Sequence, residues 1–234
     1  VGTGNASDNK IYTGDTVSLT GVAGTYNSKN VASASSVTFS GSLTGADAGN
    51  YSLTMQSPAA ATITAKPVTG SGAAAATTKV YDGTTNATLI PSIPVLTSEA
   101  VGAGNASDNK VYAGDTVSLS GIWNGTYNSK NVATASSISF SNSLTGADAG
   151  NYSLTMQRRP AATITAKPVT SSGLSVAASK VYDATTNATL IGAASLTSEA
   201  VGAGNTSDNK VYAGDTVSST GAAGTYNSKN VASA

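Results

Sequence analysis

Carboxylates and side-chain amides are the groups in this chain whose spacing suggests chemistry. Asp108, Asn109 and Asp115 cluster in one stretch, and Asp148 lies close to Asn151 in another. Hard cations take several oxygen ligands, so these five are the candidate calcium ligands. The plainer reading of the same residues is Asx-turn chemistry, and twelve acidic side chains in 234 residues are few for a calcium-stiffened array. Histidine and cysteine are absent. That removes the commonest general base, the strongest nucleophile, and soft or imidazole metal sites. No strained, Gly-flanked serine stands out as the partner of a lysine. The expectation is a protein that is not an enzyme and has no cofactor beyond that calcium candidate.

Two covalent possibilities also follow from residue types. A Lys–Asn isopeptide bond needs a buried lysine, an amide across the core and a catalytic acid. Lys79 or Lys110 with Asn131 fits that sketch, but Lys79 is out of phase with apolar Val80, which argues against a buried lysine there. Asn-x-Ser/Thr sequons occur at Asn5, Asn50, Asn86, Asn105, Asn124, Asn151, Asn187 and Asn205. They are sites where glycosylation is chemically possible, although Asn151 reads better as a structural corner residue.

Composition narrows the partners. Only 10% of residues are charged and the net charge is zero, against about 25% charged in an ordinary globular domain. Neither nucleic acid nor an anionic membrane is an expected partner, because both require a basic field. No run approaches the roughly 18 apolar residues of a membrane helix, so no membrane insertion is expected. Total absence of cysteine in a chain rich in Ser, Thr, Asn and Gly fits an exported protein.

The elements that must position these residues come as repeats. Gly45 to Thr54 returns unchanged as Gly146 to Thr155. Thr25-Tyr26-Asn27-Ser28-Lys29-Asn30-Val31 returns at Thr126 to Val132 and at Thr225 to Val231. Lys79-Val80-Tyr81-Asp82-Gly83-Thr84-Thr85 returns at Lys180 to Thr186, with Ala184 in place of Gly83. A period of about 100 residues is a whole domain rather than a solenoid turn. The division read from it is 1–66 as the C-terminal part of a repeat, 67–167 as a complete repeat, and 168–234 as the N-terminal part of another. The chain then reads as a window onto a longer array, or as a short subunit that joins end to end.

Within each repeat, short alternating segments are separated by Gly, Asp and Asn turns. Tyr152 and Leu154 face one way, Ser153 and Thr155 the other. Gly150 is expected at positive φ before them. Gly21 to Gly24 reads as a turn, Thr25 to Val31 as a short strand with a polar Asn/Ser/Lys stretch that is an edge or a bend, and Tyr51 to Met55 and Ala61 to Ala65 as strands. Lys66-Pro67 reads as a boundary, since proline holds the preceding residue extended. Ala74-Ala75-Ala76 is too short for a helix. Trp123 reads as a loop residue packed on the neighbouring surface, and the recurring tyrosines as core or corner residues. Many short strands without an amphipathic helix predict an all-β fold of tandem immunoglobulin-like sandwiches, each about 100 residues long, with a β-grasp-like arrangement as the alternative.

Four motifs taken in order carry a resemblance. They are Lys79 to Thr85, Ala113 to Gly121, Lys130-Asn131-Val132, and Leu144 to Tyr152. Together they resemble the YDG-type repeat of large bacterial surface and secreted proteins of the filamentous-haemagglutinin and adhesin kind. The likeness covers the central repeat and both partial ones. It departs at Ala184 and in the longer stretch from Ser98 to Lys110. The resemblance implies an extracellular module in tandem on a cell-surface or secreted adhesin, with no catalytic residues. The expected function is an extended stalk or adhesive spacer. The alternative is a structural subunit of an extracellular filament or biofilm matrix fibre. The expected partners are neighbouring repeats of the same chain, further copies in fibres, or a surface or glycan receptor.

Overall fold

The computed structural model describes residues 6–102, 106–121, 123–202 and 206–231. Its regular structure is almost all β. Among the described residues the helical turns are two short 3₁₀ segments, Ala48–Asn50 and Ala149–Asn151. The all-β class is therefore met, and no helix of β-grasp type is seen among those residues. The sheets are small, with two or three strands each. The chain folds as two compact units, Val1–Ser71 with Pro94–Gly121 and Ser143–Thr155, and Gly72–Ile93 with Ile122–Asn142 and Met156–Ala234.

In the first unit the long strands Ser18–Tyr26 and Ser36–Thr44 pair antiparallel, and Ala59–Ala60 adds to the second of them. The register shifts between Thr20 and Ala23, where Gly21 takes φ 62°. The predicted turn at Gly21 to Gly24 is thus a bulge inside one continuous strand, which glycine permits at no Cβ cost. The core of this unit is Val68, Val111 and Tyr152, with Leu96, Tyr112, Val117, Leu144 and Leu154 packed around them. The strand Lys66–Gly70 supplies Val68 and pairs with Tyr152–Met156. Its period of two buries Lys66, Val68 and Gly70 and leaves Pro67 outward, where a missing N–H does no harm.

In the second unit Ser137–Ser141 lies between Asn124–Tyr127 and Arg158–Pro160, all antiparallel. Thr78–Val80 pairs parallel with Thr163–Thr165. Ile138 and Phe140 point into a core with Tyr127, Ala73, Ala75, Ala135, Ala162 and Ile164. The alanine run is extended, as its length required, and its small side chains let the backbone approach Tyr127. Trp123 stacks edge-on against Phe140 at 5.4 Å between ring centres and covers this core.

Other local expectations shift. Of the two readings of Thr25 to Val31, the strand holds only to Tyr26 and the polar stretch after it is the bend. Beyond Tyr26, Asn27 turns the chain by accepting the backbone N–H groups of Ser35 and Ser36 at 2.9 and 3.0 Å. An Asn side chain that satisfies the backbone locally competes with the ladder and ends the strand. Tyr152–Met156 forms the expected strand, whereas the identical Tyr51 to Thr54 stretch does not. Ala61 to Ala65 is not a strand either, although its counterpart Thr163–Thr165 is.

Candidate functional site

Three kinds of polar construction recur at equivalent positions. The first is the tyrosine corner. Tyr152 Oη donates to Asp115 Oδ2 at 2.7 Å and accepts the Tyr112 N–H at 3.0 Å. Tyr51 does the same with Asp15 and Tyr12, at 2.6 and 2.9 Å. Burial, followed by the hydrogen bond to Asp115, pushes the Tyr152 phenol up to about 12. Asp148 Oδ2 accepts the Thr116 N–H at 2.9 Å and so ties the corner to the segment leading into the strand Ser118–Leu119. Gly150 is not at positive φ here. Gly146 is, at φ 116°, and a Cβ there would lie 2.2 Å from the Thr116 carbonyl oxygen. The glycine that matters therefore precedes Asp148, because two backbones meet there.

The second construction is the Lys-Val-Tyr-Asp loop. Lys79 Nζ donates to Asp82 Oδ1 at 2.7 Å and to the Thr84 and Asn86 carbonyls, each at 2.9 Å. Lys180 repeats this with Asp183, Thr185 and Asn187. The lysine ends are folded over Tyr127 and Tyr226, each at 5.4 Å from the ring centre. The Lys79 side chain is thus only 9% exposed, against the phase argument, because its ammonium lies over an aromatic ring and fills a loop of acceptors. It engages Asp82 rather than Asn131. Burial raises the Asp82 carboxyl, but the Lys79 ammonium and the Thr84 donors outweigh it and hold the group below its usual value.

The third construction is a buried lysine between two carboxylates. Lys66, with its side chain only 8% exposed, places Nζ 2.9 Å from Glu99 Oε1, 2.5 Å from Asp108 Oδ1 and 2.7 Å from the Lys110 carbonyl. The ammonium also lies over the Tyr112 ring at 4.8 Å. Lys167, 3% exposed, repeats this with Glu199, Asp208 Oδ1 at 2.8 Å, and the Tyr212 ring at 4.1 Å. The supporting backbone repeats too: Asn109 and Asn209 sit at φ 65° and 64° and accept the Thr69 and Thr170 N–H groups. Burial disfavours both ammonium groups, but hydrogen bonds to their two carboxylates outweigh it and raise both lysines. The lysine bond, opposed by burial, holds Asp108 and Asp208 down to about 2.

The candidate calcium ligands are distributed among these constructions. Asp108 belongs to the lysine cluster, and Asn109 contributes its carbonyl oxygen to the neighbouring strand. Asp115 and Asp148 are bound by Tyr152 and Thr116 N–H, and Asn151 Oδ1 accepts the Val31 N–H at 2.9 Å. Lys29 Nζ lies 3.4 Å from Asp115 and 3.9 Å from Asp148. Among the described residues no group of three or more acidic side chains converges as a metal site would. Of the sequons, Asn5, Asn105 and Asn205 lie outside the described residues.

Sequence reading missed Lys66, Glu99, Lys167, Glu199 and Asp208. A signal was present: the chain has only two glutamates, and they recur in the same Leu-Thr-Ser-Glu-Ala stretch at Glu99 and Glu199.

A YDG domain model matches residues 1–61, 64–161 and 165–234. The chain belongs to the YDG domain family. Comparison with curated proteins gives no match, and comparison with solved structures gives none. In this frame Lys66 and Lys167 each stand near the start of a YDG match, and their carboxylate partners lie in the same match.

Proposed function

We propose that this YDG chain is part of the extracellular repeat region of a bacterial surface adhesin and acts as a stalk and adhesive spacer. The observation that carries the reading is a contact between successive YDG matches made twice in the same way. Lys29 reaches Asp115 at 3.4 Å, and Lys130, its sequence counterpart, reaches Asp215 at 3.4 Å. A join that repeats with the sequence period is what a tandem array needs. Near-absence of net charge lets many such modules follow one another without strong repulsion. In this reading each repeat of about 100 residues is an immunoglobulin-like sandwich, with 67–167 the complete one. A three-stranded antiparallel sheet in each compact unit, and the tyrosine corner, favour sandwich-type packing in general.

A second reading is a structural subunit that assembles into extracellular fibres through strand contacts. A groove of about 530 Å³ favours it, lined by Ile11, Tyr12, Val17, Leu43, Tyr51 and Leu53. The counterpart side chains in the central repeat close on Val68 and Leu96. An added strand could enter the groove by β-augmentation. The test is the mass of the native polypeptide from source cells after boiling in strong denaturant, with antibody labelling of intact cells. A surface-labelled polypeptide of many repeats, far above 22.8 kDa, supports the stalk. A discrete species near 22.8 kDa released from longer assemblies would replace it with the fibre subunit.

A further inference from the structure

Each lysine–carboxylate cluster contains more than an ion pair requires. We propose that Lys66 and Asp108, and likewise Lys167 and Asp208, condense into intramolecular isopeptide bonds, with Glu99 and Glu199 as the proton carriers.

The geometry supplies what the condensation needs. Nucleophile and electrophile must be held within near-attack range, roughly 3–3.5 Å between reacting atoms. Lys66 Nζ is 2.5 Å from Asp108 Oδ1, so the carboxyl carbon is one carbon–oxygen bond beyond. Lys167 Nζ is 2.8 Å from Asp208 Oδ1. Both lysine side chains are more than nine-tenths buried. A second acidic group stands at each lysine: Glu99 Oε1 is 2.9 Å from Lys66 Nζ, and Glu199 contacts Lys167 Nζ.

The two oxygens of each aspartate are held differently, which selects aspartate over glutamate as the acceptor. Asp108 Oδ1 accepts the Lys110 backbone N–H at 3.1 Å, and Asp208 Oδ1 accepts that of Lys210 at 3.1 Å. A fixed N–H donor at this oxygen stabilises the negative charge that develops when nitrogen adds to the carboxyl carbon. The other oxygen, Oδ2, faces a second ammonium, Lys110 Nζ at 3.8 Å or Lys210 Nζ at 3.7 Å. That cation stands beside the oxygen that must leave.

The step balances within the cluster. At rest Lys66 is an ammonium and Asp108 a carboxylate. Glu99 takes a proton from Nζ, and the freed nitrogen lone pair adds to Cγ of Asp108. Oδ1 carries the charge of the tetrahedral intermediate. Glu99 delivers protons from nitrogen to Oδ2, the Cγ–Oδ2 bond breaks, and water leaves. Two of the three ammonium hydrogens depart in that water, the third stays on the amide, and Glu99 ends as it began. No oxidant and no external reactant is involved. The cluster passes from net charge −1 to the single charge on Glu99, so the overall conversion creates no additional buried charge. The product joins the strand Lys66–Gly70 covalently to the turn before Val111, both on the core of one unit.

The test is the intact mass of the folded 234-residue protein. Each condensation removes about 18 Da, so two bonds lower the mass by about 36 Da from the sequence value. Proteolysis then yields branched peptides joining Lys66 to Asp108 and Lys167 to Asp208. The Glu99→Gln, Glu199→Gln double variant, confirmed folded by circular dichroism, is expected to keep its full mass. An unmodified mass for the folded wild-type chain overturns the proposal and leaves the clusters as ion pairs. Water loss that maps to other residues, such as an aspartate succinimide, overturns it equally. Full condensation in the double variant would remove the proton-carrying role from the glutamates.

Discussion

The segments Thr25 to Val31 and Thr126 to Val132 have one sequence and two environments. Both carry the same local hydrogen bonds. Asn27 Nδ2 donates to the Ser33 carbonyl and Asn128 Nδ2 to the Thr134 carbonyl, each at 3.1 Å. Yet Tyr127 is 2% exposed within a core, and Tyr26 is 44% exposed on a strand with no buried residue. The difference is supplied by Ala73, Ala75, Ala162 and Ile164, which pack around Tyr127. A short sequence therefore fixes its own turn, while its apolar residue becomes core only when distant strands reach it.

The largest effect should separate the two tyrosines. Tyr127→Ala removes a buried ring and is expected to cost about 3–5 kcal/mol, whereas Tyr26→Ala should cost about 1 kcal/mol or less. Urea unfolding of both variants measures this, and equal losses would break the comparison.

Next comes the loop pair Gly83 and Ala184, at φ 77° and 64°. Gly83→Ala meets the left-handed penalty of about 1–2 kcal/mol, and its Cβ would lie 2.8 Å from Val201 Cγ1. Ala184→Gly relieves the same penalty, partly offset by the added freedom of the unfolded chain, and should stabilise by about 0.5–1 kcal/mol. Thermal midpoints of the two variants should therefore move in opposite directions.

A sharper test uses the shared turn. Asn27→Ala and Asn128→Ala each remove equivalent bonds to backbone, so each should cost about 1 kcal/mol. Near-equality by denaturant titration would show that this interaction is local and indifferent to the core beside it.

The smallest effect is a pH dependence. Lys180, followed by the Thr185 N–H and hydroxyl, holds the Asp183 carboxyl down to about 2. A depressed carboxylate contributes stability above its unfolded value near 3.9, and that contribution is lost as pH falls toward about 2. Asp183→Asn should flatten the acid limb of the stability curve in that window. Asp82→Asn should flatten it less, because burial opposes the Lys79 bond at Asp82, whereas the Lys180 bond dominates at Asp183. Acid titration followed by circular dichroism compares them.

Much of this was legible in the residues. Alternation without a helical period and the recurrence of four motifs carried the all-β class and the family likeness, because periodicity acts locally. The tyrosine corner was legible for the same reason, although the glycine it depends on was misplaced from Gly146 to Gly150. Other features were settled only by tertiary structure. Lys66 reads as a linker residue until the fold brings Glu99 and Asp108 to it, and Lys79 reads as exposed until its ammonium meets Tyr127 and the loop carbonyls. Burial of a charge depends on acceptors distant in sequence, and no local period records where those will be. Whether Tyr51 to Thr54 becomes a strand, as its identical copy from Tyr152 does, is likewise decided by what lies alongside. A strand satisfies its hydrogen bonds only through a neighbour.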